Sequence, residues 1–328
     1  MTHPMSPSFL TLHDGDVIPL DAATGHHRPA HVIDRRSVVA INATLATGRP
    51  LLVRGEPGVG KSQLARAAAV QLGRRFRHHA VDASTEPRDL LYTVDAVARL
   101  AEAQLVGALG WGDRRAVAIE NFIRPGALWW AFDECSAAAQ ARRAGDAIAD
   151  PAGAPDRGVV LLVDEIDKAD SAIPNALLDA LGHRRFDVPG CGTVEMTSSA
   201  RPLVIITTNE ERSLPDAFLR RCFVLHLSLP DDDTGAAVRE ALSARGAAHF
   251  PDCPREILSA AADLIARRRL AMRRQRQPAP GVAEYIDLLD AVLVQRRDGI
   301  DPIALLTEIA TFVLDKHAPP APITERDP

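Results

Sequence analysis

Short apolar runs alternate with segments of helical periodicity over the first two thirds of the chain. Such runs are typical of strands that a sheet buries on both faces. They predict strands at residues 49–54, 76–81, 159–163, 203–206 and 223–227. Helical spacing predicts helices at residues 32–46, 63–72, 95–106 and 127–144, and residues 122–125 are predicted to form a turn. Strands that alternate with helices favour a parallel sheet in a three-layer α/β sandwich.

The pattern changes after the polar segment Pro230-Asp231-Asp232-Asp233. No strand is predicted beyond it, and helical spacing recurs at residues 233–245, 254–272, 281–296 and 302–315. We therefore expect a flexible arm (1–31), an α/β domain (32–230), a small all-helical domain (231–316) and a disordered tail (317–328).

Composition narrows the class of protein. The chain is 46% hydrophobic and 25% charged, as in ordinary globular proteins. A net charge of −5 gives no basic field for nucleic acid or an anionic membrane. Neither a secretory signal nor a membrane-length apolar run is present, and the four cysteines form no C-x-x-C pair. These features predict a soluble cytoplasmic protein without a zinc ribbon or disulfide framework.

A complete G-x-x-x-x-G-K-[ST] motif lies between the first predicted strand and the following helix. It consists of Gly55, Glu56, Pro57, Gly58, Val59, Gly60, Lys61 and Ser62. Its glycines allow backbone N–H groups to surround a phosphate at a helix N-terminus. Lys61 would reach the β- and γ-phosphates, and Ser62 would bind Mg²⁺. The alternative is a Gly/Pro turn that only joins a strand to a helix.

Lysine is rare in this chain, and one of the few lies in this motif. Only three of the 38 basic residues are lysines: Lys61, Lys168 and Lys316. A compact ammonium fits between phosphate oxygens, whereas a planar guanidinium would have to be placed differently. The retained lysine therefore supports a phosphate site.

Polar side chains end the two neighbouring apolar runs. Asp164 and Glu165 follow Val163, and Asn209 ends the run that begins at Leu203. Asp164 could hold Mg²⁺ opposite Ser62, and Glu165 could polarise an attacking water. Asn209 could hydrogen-bond the γ-phosphate or that water. Alternatively, Asp164 and Glu165 are acidic residues that only stabilise the N-terminus of the following helix. Asn209 would then only form an Asx turn at the end of its strand.

Two adjacent arginines, Arg220 and Arg221, precede the last predicted strand. One of them could be directed at the γ-phosphate of a neighbouring subunit, since arginines supplied in this way stabilise phosphoryl transfer. The alternative is a solvated basic pair or a partner to local acidic residues. The motifs alone leave both interpretations open.

In order and spacing, these motifs resemble the Walker A, Walker B, sensor 1 and arginine-finger segments of AAA+ ATPases. A predicted β-hairpin at residues 186–196 is most similar to the MoxR-like, dynein-related branch. The resemblance covers about residues 32–315. It implies a P-loop NTPase that binds ATP and Mg²⁺ at subunit interfaces, in a ring that is usually hexameric. It also implies that the helical domain (231–316) is a lid domain.

The chain departs from this family pattern in two places. The interval from Lys61 to Asp164 is long, which predicts an insertion within about residues 83–157. Its tryptophans, Trp111, Trp129 and Trp130, favour a buried helical face over a partner surface. The resemblance also implies a sensor 2 arginine at the start of a late helix, yet Gly281 or Val282 occupies that start.

Arg276 is the candidate for the missing sensor 2 arginine. It belongs to a cluster of six arginines within residues 267–276. The cluster lacks interleaved aromatic residues, so a solvated or nucleotide-facing helix surface is favoured over a nucleic-acid site.

Together these observations predict an ATPase in which Glu165 activates water, Asn209 positions it, and Arg221 or Arg220 completes a neighbour's site. The resemblance implies a homo-hexameric, MoxR-like chaperone that remodels a protein client, with a von Willebrand-type domain protein as a possible partner. The alternatives are a nucleic-acid motor or loader, a non-catalytic ATP-dependent assembly switch, and a small-molecule kinase. The net charge argues against nucleic acid.

Overall fold

The computed structural model describes most of the chain, namely residues 9–20, 26–109, 115–147, 157–170, 172–196, 201–230, 232–275, 277–296 and 301–314. Contacts divide the chain into two compact units. The first contains residues 1–20, 33–55 and 61–227, and the second contains residues 21–32, 56–60 and 228–328.

Strands and helices follow one another along the chain. The strands are β1 (Val17–Pro19), β2 (Ala30–Val32), β3 (Leu51–Arg54), β4 (Arg75–Ala80), β5 (Tyr92–Val94), β6 (Ile123–Pro125), β7 (Val159–Asp164), β8 (Arg185–Val188), β9 (Gly192–Glu195), β10 (Leu203–Thr208) and β11 (Phe223–His226). The helices are α1 (Arg35–Thr47), α2 (Lys61–Leu72), α3 (Ala96–Leu109), α4 (Ala127–Phe132), α5 (Glu134–Arg143), α6 (Ala172–His183), α7 (Asp216–Leu219), α8 (Ala236–His249), α9 (Arg255–Arg274), α10 (Val282–Gln295) and α11 (Pro302–Leu314). None of the helices in the described ranges is both long and apolar enough to cross a membrane.

A five-stranded parallel sheet in the order β11-β3-β10-β7-β4 organises the first unit. Every residue of β10 is buried, as are the first five of β7. Burial on both faces explains why these strands appear in the sequence as continuous apolar runs. The five predicted strands and the parallel α/β sandwich are confirmed.

One face of the sheet packs against the segment between the P-loop helix and β7. Leu161 and Ile206 share a core with Trp129, Phe132 and Phe186. Trp129 is buried, as expected for a helical face turned inward. The guanidinium of Arg77 lies over the Trp130 ring, 4.1 Å from its centroid. Trp111 falls outside the described residues.

Two local predictions in this segment are wrong. Residues 123–125, predicted as part of a turn, form β6, which pairs antiparallel with β5. The single helix predicted over residues 127–144 is two helices, α4 and α5, interrupted at Asp133. Asp133 has an extended backbone, and its carboxylate accepts the Ser136 N–H at 3.1 Å, so it caps α5.

The predicted hairpin between α6 and β10 is confirmed. β8 and β9 pair antiparallel, with Phe186 opposite Val194 and Val188 opposite Gly192. Phe186 and Val194 are buried in the core of the first unit, so the hairpin is anchored by its apolar face.

The second unit is built from the four helices α8 to α11, which the helical spacing predicts. Tyr285 on α10 is fully buried, and its hydroxyl donates to the Leu258 carbonyl at 3.1 Å. Gly246 on α8 faces this ring, so the two helices approach closely there.

Residues before β2 also belong to the second unit. The His27 ring stacks on His249 and Phe250, and its Nε2 lies 2.9 Å from Nδ1 of His249. Arg28 forms an ion pair with Asp252 at 3.0 Å. These contacts attach residues 27–28 to the C-terminal end of α8.

Candidate active site

The glycine-rich loop joins β3 to α2, as the motif requires. Gly55, Gly58 and Gly60 all have positive φ angles, of 149°, 72° and 101°. Residues with side chains rarely adopt such angles, so glycine permits the turn that directs backbone N–H groups inward. At Gly58 a Cβ would also lie 2.8 Å from the Cβ of Ala283. Within the loop Val59 is buried, whereas Glu56 and Pro57 are exposed.

Lys61, the first residue of α2, is only 7% exposed. Its ammonium donates to the Gly55 carbonyl and to Asn209 Oδ1, each at 2.7 Å. Burial lowers the pKa of Lys61, and the nearby carboxylates of Asp164 and Asp167 oppose that shift. The predicted P-loop lysine and strand-end asparagine therefore lie in direct contact.

Ser62 and Asp164, the two predicted magnesium ligands, also lie together. The Ser62 hydroxyl is 2.9 Å from Asp164 Oδ2 and 3.1 Å from Oδ1. The Thr207 hydroxyl donates to Oδ1 of Asp164 and accepts the N–H of Glu165 at 2.9 Å. Thr207 therefore fixes both acids from the neighbouring strand.

The oxygen atoms of Ser62 and Asp164 fit Mg²⁺, which prefers hard oxygen ligands and keeps several waters. Among the described residues, no three His, Cys, Asp or Glu side chains form a group that could hold a metal ion. Phosphate and water oxygens would supply the other ligands of a magnesium ion held by Ser62 and Asp164. His78, which sequence reasoning missed, lies nearby, with Nε2 3.4 Å from Asp164 Oδ2.

Glu165 lies directly beyond β7 in a left-handed conformation, with φ 59° and ψ 47°. Its Oε1 accepts the Asn209 side-chain N–H at 3.1 Å. Its Oε2 lies 2.5 Å from the ammonium of Lys168. The hydrogen bond and charge of Glu165 raise the pKa of Lys168.

Asp167 is a buried acid that sequence reasoning did not assign. Its two oxygens accept the backbone N–H groups of Asn209, at 3.4 Å, and of Glu211, at 2.9 Å. Asp167 is only 2% exposed, and its two hydrogen bonds hold the loop after β10 in place. The signal that could have revealed it was a carboxylate in the turn, directly after the buried Ile166.

The two candidate finger arginines lie apart from the residues described above. Arg220 and Arg221 are exposed and precede β11, which pairs in parallel with β3. In that register Phe223 lies opposite Leu51 and the P-loop follows Arg54. The arginines are therefore at the amino edge of the sheet, and the P-loop is at the carboxyl edge.

Arg49 holds the finger segment from the chain before β3. Its guanidinium donates to the backbone carbonyls of both Arg220 and Arg221, the latter at 3.2 Å. It also lies over the Phe223 ring, 5.3 Å from the centroid. These contacts fix the backbone of the segment and leave the two arginine side chains exposed.

The second unit contains the proposed sensor 2 region. Helix α10 begins at Val282, with Gly281 at the N-cap, which confirms the predicted helix start. Arg276 is outside the described residues. Within the arginine cluster, Arg269 is 8% exposed rather than solvated. It donates to the Pro280 carbonyl at 2.6 Å and to Glu56 Oε2 at 3.0 Å.

The parallel sheet, the glycine-rich loop at a helix N-terminus and the polar strand ends define a P-loop nucleotide-binding fold. The family model for the AAA domain of the dynein-related subfamily matches residues 50–222. The chain therefore belongs to this family of AAA+ ATPases.

Two solved structures of RuvB from Thermotoga maritima are similar to the chain. A point mutant is 16% identical with a TM-score of 0.43, over 84% of this chain and 69% of that one. The RuvB Holliday junction branch migration motor is 17% identical with a TM-score of 0.41, over 84% and 68%. No curated protein matches the chain.

Proposed function

We propose that this protein hydrolyses ATP to ADP and phosphate. The observation that carries the proposal is the continuous hydrogen-bonded chain from Lys61 through Asn209 to Glu165. It joins a phosphate-binding lysine to a carboxylate that can act as a base. Such an arrangement serves phosphoryl transfer, where catalysis depends on positioning and on charge stabilisation.

Substrate binding is assigned to the loop and the first turn of α2. Backbone N–H groups between Gly58 and Ser62 would surround the phosphates, aided by the positive end of the helix dipole. Lys61 would exchange its contacts with Gly55 and Asn209 for phosphate oxygens. The glycine conformations and the burial of Lys61 support this role.

Ser62 and Asp164 would hold Mg²⁺. The ion would neutralise the negative charge that develops on the phosphate oxygens. Thr207 keeps the Asp164 carboxylate oriented toward Ser62.

Glu165 is assigned as the base for water. It would accept the proton as the water oxygen bonds to the γ-phosphorus, while the bond from that phosphorus to the bridging oxygen breaks and ADP leaves. Asn209 would hold the water or the γ-phosphate in line. The 3.1 Å contact between Asn209 and Glu165 supports the proposal that both groups act on one water molecule.

A trans-acting arginine completes the proposed site. Arg221, or alternatively Arg220, would stabilise the transition state on an adjacent subunit. Such a finger accelerates hydrolysis roughly 10³- to 10⁵-fold, or about 4–7 kcal/mol of barrier. The position of both arginines at the sheet edge opposite the P-loop supports action on a neighbour's nucleotide. This role requires head-to-tail association of subunits, for which we propose a homo-hexameric ring.

The base assignment is tested with Glu165→Gln. We expect this variant to bind ATP normally and to lose turnover, because the amide cannot accept the proton from water. Glu211→Gln is the matched control: it removes an exposed carboxylate next to the same loop, and its hydrolysis rate should stay near wild type. Near-normal hydrolysis by Glu165→Gln would refute the assignment of Glu165 as the base.

The trans arginine is tested by mixing two inactive variants. Lys61→Ala removes phosphate binding but keeps the finger, whereas Arg221→Ala keeps the nucleotide site. Mixed assemblies should regain activity, because some intact sites then face intact fingers. If mixing restores nothing while each variant assembles, the arginine does not act in trans. The same mixture with Arg220→Ala decides between the two arginines.

The proposed biological role is the remodelling of a protein client by a MoxR-like chaperone, in the cytoplasm where ATP is available. Membership in the dynein-related AAA family and the hairpin β8–β9 support it. Capture of partners by Glu165→Gln in ATP tests this role, with a von Willebrand-type domain protein as the expected class. Stimulation of hydrolysis by DNA or RNA, with a steep salt dependence, would contradict it.

A further inference from the structure

Lys168 ends the short turn that follows Glu165. Its backbone N–H donates to the Glu165 carbonyl at 3.0 Å, and its ammonium returns to Glu165 Oε2 at 2.5 Å. The contact joins opposite charges, so the ammonium is directed at this one oxygen. Lys168 therefore contacts the same carboxylate that the proposed function assigns as the base.

The turn that presents Lys168 is fixed on several sides. Ile166 and Asp167 are buried, and Asp167 holds the backbone after β10 through two accepted N–H groups. Arg212 donates to the Lys168 carbonyl at 3.3 Å. The ammonium is thus delivered by backbone that has little freedom to move.

Glu165 itself has a strained backbone. For a residue with a side chain, the left-handed conformation is unfavourable. Such conformations persist where the surrounding contacts enforce them, commonly at functional sites. Here the Thr207 hydroxyl, which accepts the Glu165 N–H, and the turn to Lys168 enforce it.

The two carboxylate oxygens of Glu165 have different partners. Asn209 donates to Oε1, and Lys168 binds Oε2. Asn209 in turn accepts from Lys61. When Lys61 moves to phosphate, as the proposed function requires, Asn209 can turn toward the water, and Oε1 is then open to that water. Lys168 remains as the contact that keeps the carboxylate from rotating.

We propose that Lys168 is a positioning residue that anchors Oε2 of Glu165, so that Oε1 faces the attacking water. The inference rests on the proposed function, because it gives Lys168 a role only if Glu165 is the base. Lys168 touches neither the substrate nor the reacting atoms. It acts on the rate through the orientation of the carboxylate.

A solvated ion pair is the competing interpretation. Lys168 and Glu165 side chains are 40% and 35% exposed, and exposed pairs contribute little to stability. That interpretation predicts unchanged kinetics when the lysine is replaced. Positioning predicts a lower kcat with KM preserved, since binding of ATP does not use Glu165.

The experiment compares Lys168→Met and Lys168→Arg with the wild-type protein. A displacement of about 1 Å in a reacting group can cost roughly 10²-fold in rate. With the strained backbone still restraining Glu165, we expect kcat to fall about 10-fold in Lys168→Met. KM and the melting temperature should not change, and Lys168→Arg should recover most of the rate because it keeps the charge.

Arg239→Met is the matched control. Arg239 forms an exposed ion pair with Asp263 at 3.0 Å, with side chains 47% and 32% exposed. Its loss removes a comparable surface contact without touching Glu165, so kcat should be unchanged. Should Lys168→Met fold poorly, Lys168→Gln provides a second neutral side chain for the same measurement.

The Glu165→Gln variant separates the two hypotheses. If it is inactive, Lys168→Met in that background should cause no further loss, because the carboxylate that Lys168 anchors is gone. Normal hydrolysis by Glu165→Gln refutes the proposed function. An inactive Glu165→Gln together with a wild-type or raised kcat in Lys168→Met, or with a change in KM alone, overturns the role of Lys168 only.

Discussion

Gly246 offers a sharp test of packing in the helical unit. It lies within α8 and faces Tyr285 on α10. A Cβ at this position would lie 2.4 Å from the Tyr285 hydroxyl oxygen, and 3.0 Å from both Tyr285 Cε1 and Leu258 Cδ2. Tyr285 cannot retreat into solvent, because it is fully buried and its hydroxyl is bound to the Leu258 carbonyl.

Three contributions set the change in the free energy of unfolding in Gly246→Ala, of which one stabilises the protein and two destabilise it. Alanine in place of glycine within a helix adds about 1 kcal/mol of stability. Overpacking costs about 1–3 kcal/mol, and loss of the displaced tyrosine hydrogen bond costs about 1 kcal/mol more. The expected net result is a loss of about 1–3 kcal/mol, so the structural clash outweighs the helix propensity.

Urea unfolding followed by far-UV circular dichroism measures this change. Gly182→Ala on α6 is the matched control, since a Cβ there would meet no neighbouring group of the described chain within 4 Å and only the propensity gain remains. Gly246→Ala should lower the free energy of unfolding, whereas Gly182→Ala should raise it. Tyr285→Phe removes the nearest atom, so combining it with Gly246→Ala should cost less than the sum of the single changes. Equal stabilisation by Gly246→Ala and Gly182→Ala would refute the reasoning.

Three further outcomes follow from contacts described above. Thr207→Val should destabilise the protein by about 1–3 kcal/mol, because Asp164 and Glu165 both lose a hydrogen-bond partner. It should also raise the magnesium concentration needed for hydrolysis, which a Mg²⁺ titration of ATPase activity measures. Arg49→Met should lower the rate of the assembled enzyme with unchanged ATP affinity, as seen by equilibrium binding, because the finger segment loses its anchor. Burial, with the charge of the neighbouring imidazole, lowers the pKa of His249 to about 4. Since an unfolded histidine titrates near 6.5, stability should be complete above that pH and fall by up to about 3 kcal/mol toward pH 4; urea midpoints at several pH values should show this slope, and His249→Gln should flatten it.

The buried strands could be predicted because both of their faces are apolar. β6 could not: Ile123-Arg124-Pro125 is short, ends in proline, and becomes a strand only by pairing with β5. The break at Asp133 was in principle readable, since Asp is a preferred N-cap residue and its carboxylate accepts the Ser136 N–H three residues on. The alanines on both sides of it, at 127 and 131 and at 137–139, favoured a single helix.

The candidate site shows the same division. Lys61, Ser62, Asp164, Glu165 and Asn209 could be placed together because a parallel sheet brings the carboxyl ends of its strands to one edge. Most of the supporting contacts could not be placed, because they join residues that are far apart in the sequence, often through a backbone group. These contacts come from Thr207, Asp167, Lys168, Arg49 and Arg269.

The separation of Arg221 from the P-loop has a consequence for stoichiometry. β3 spans three residue steps, roughly 10 Å, so the finger and the phosphate loop face opposite ends of the sheet. If one subunit completes the next, each chain has a donor end and an acceptor end, and association is head to tail. An open arc of n subunits then contains n − 1 complete sites, and only a closed ring has n. The hydrolysis rate per subunit would therefore increase when the last subunit closes the ring, and it could be used to detect closure.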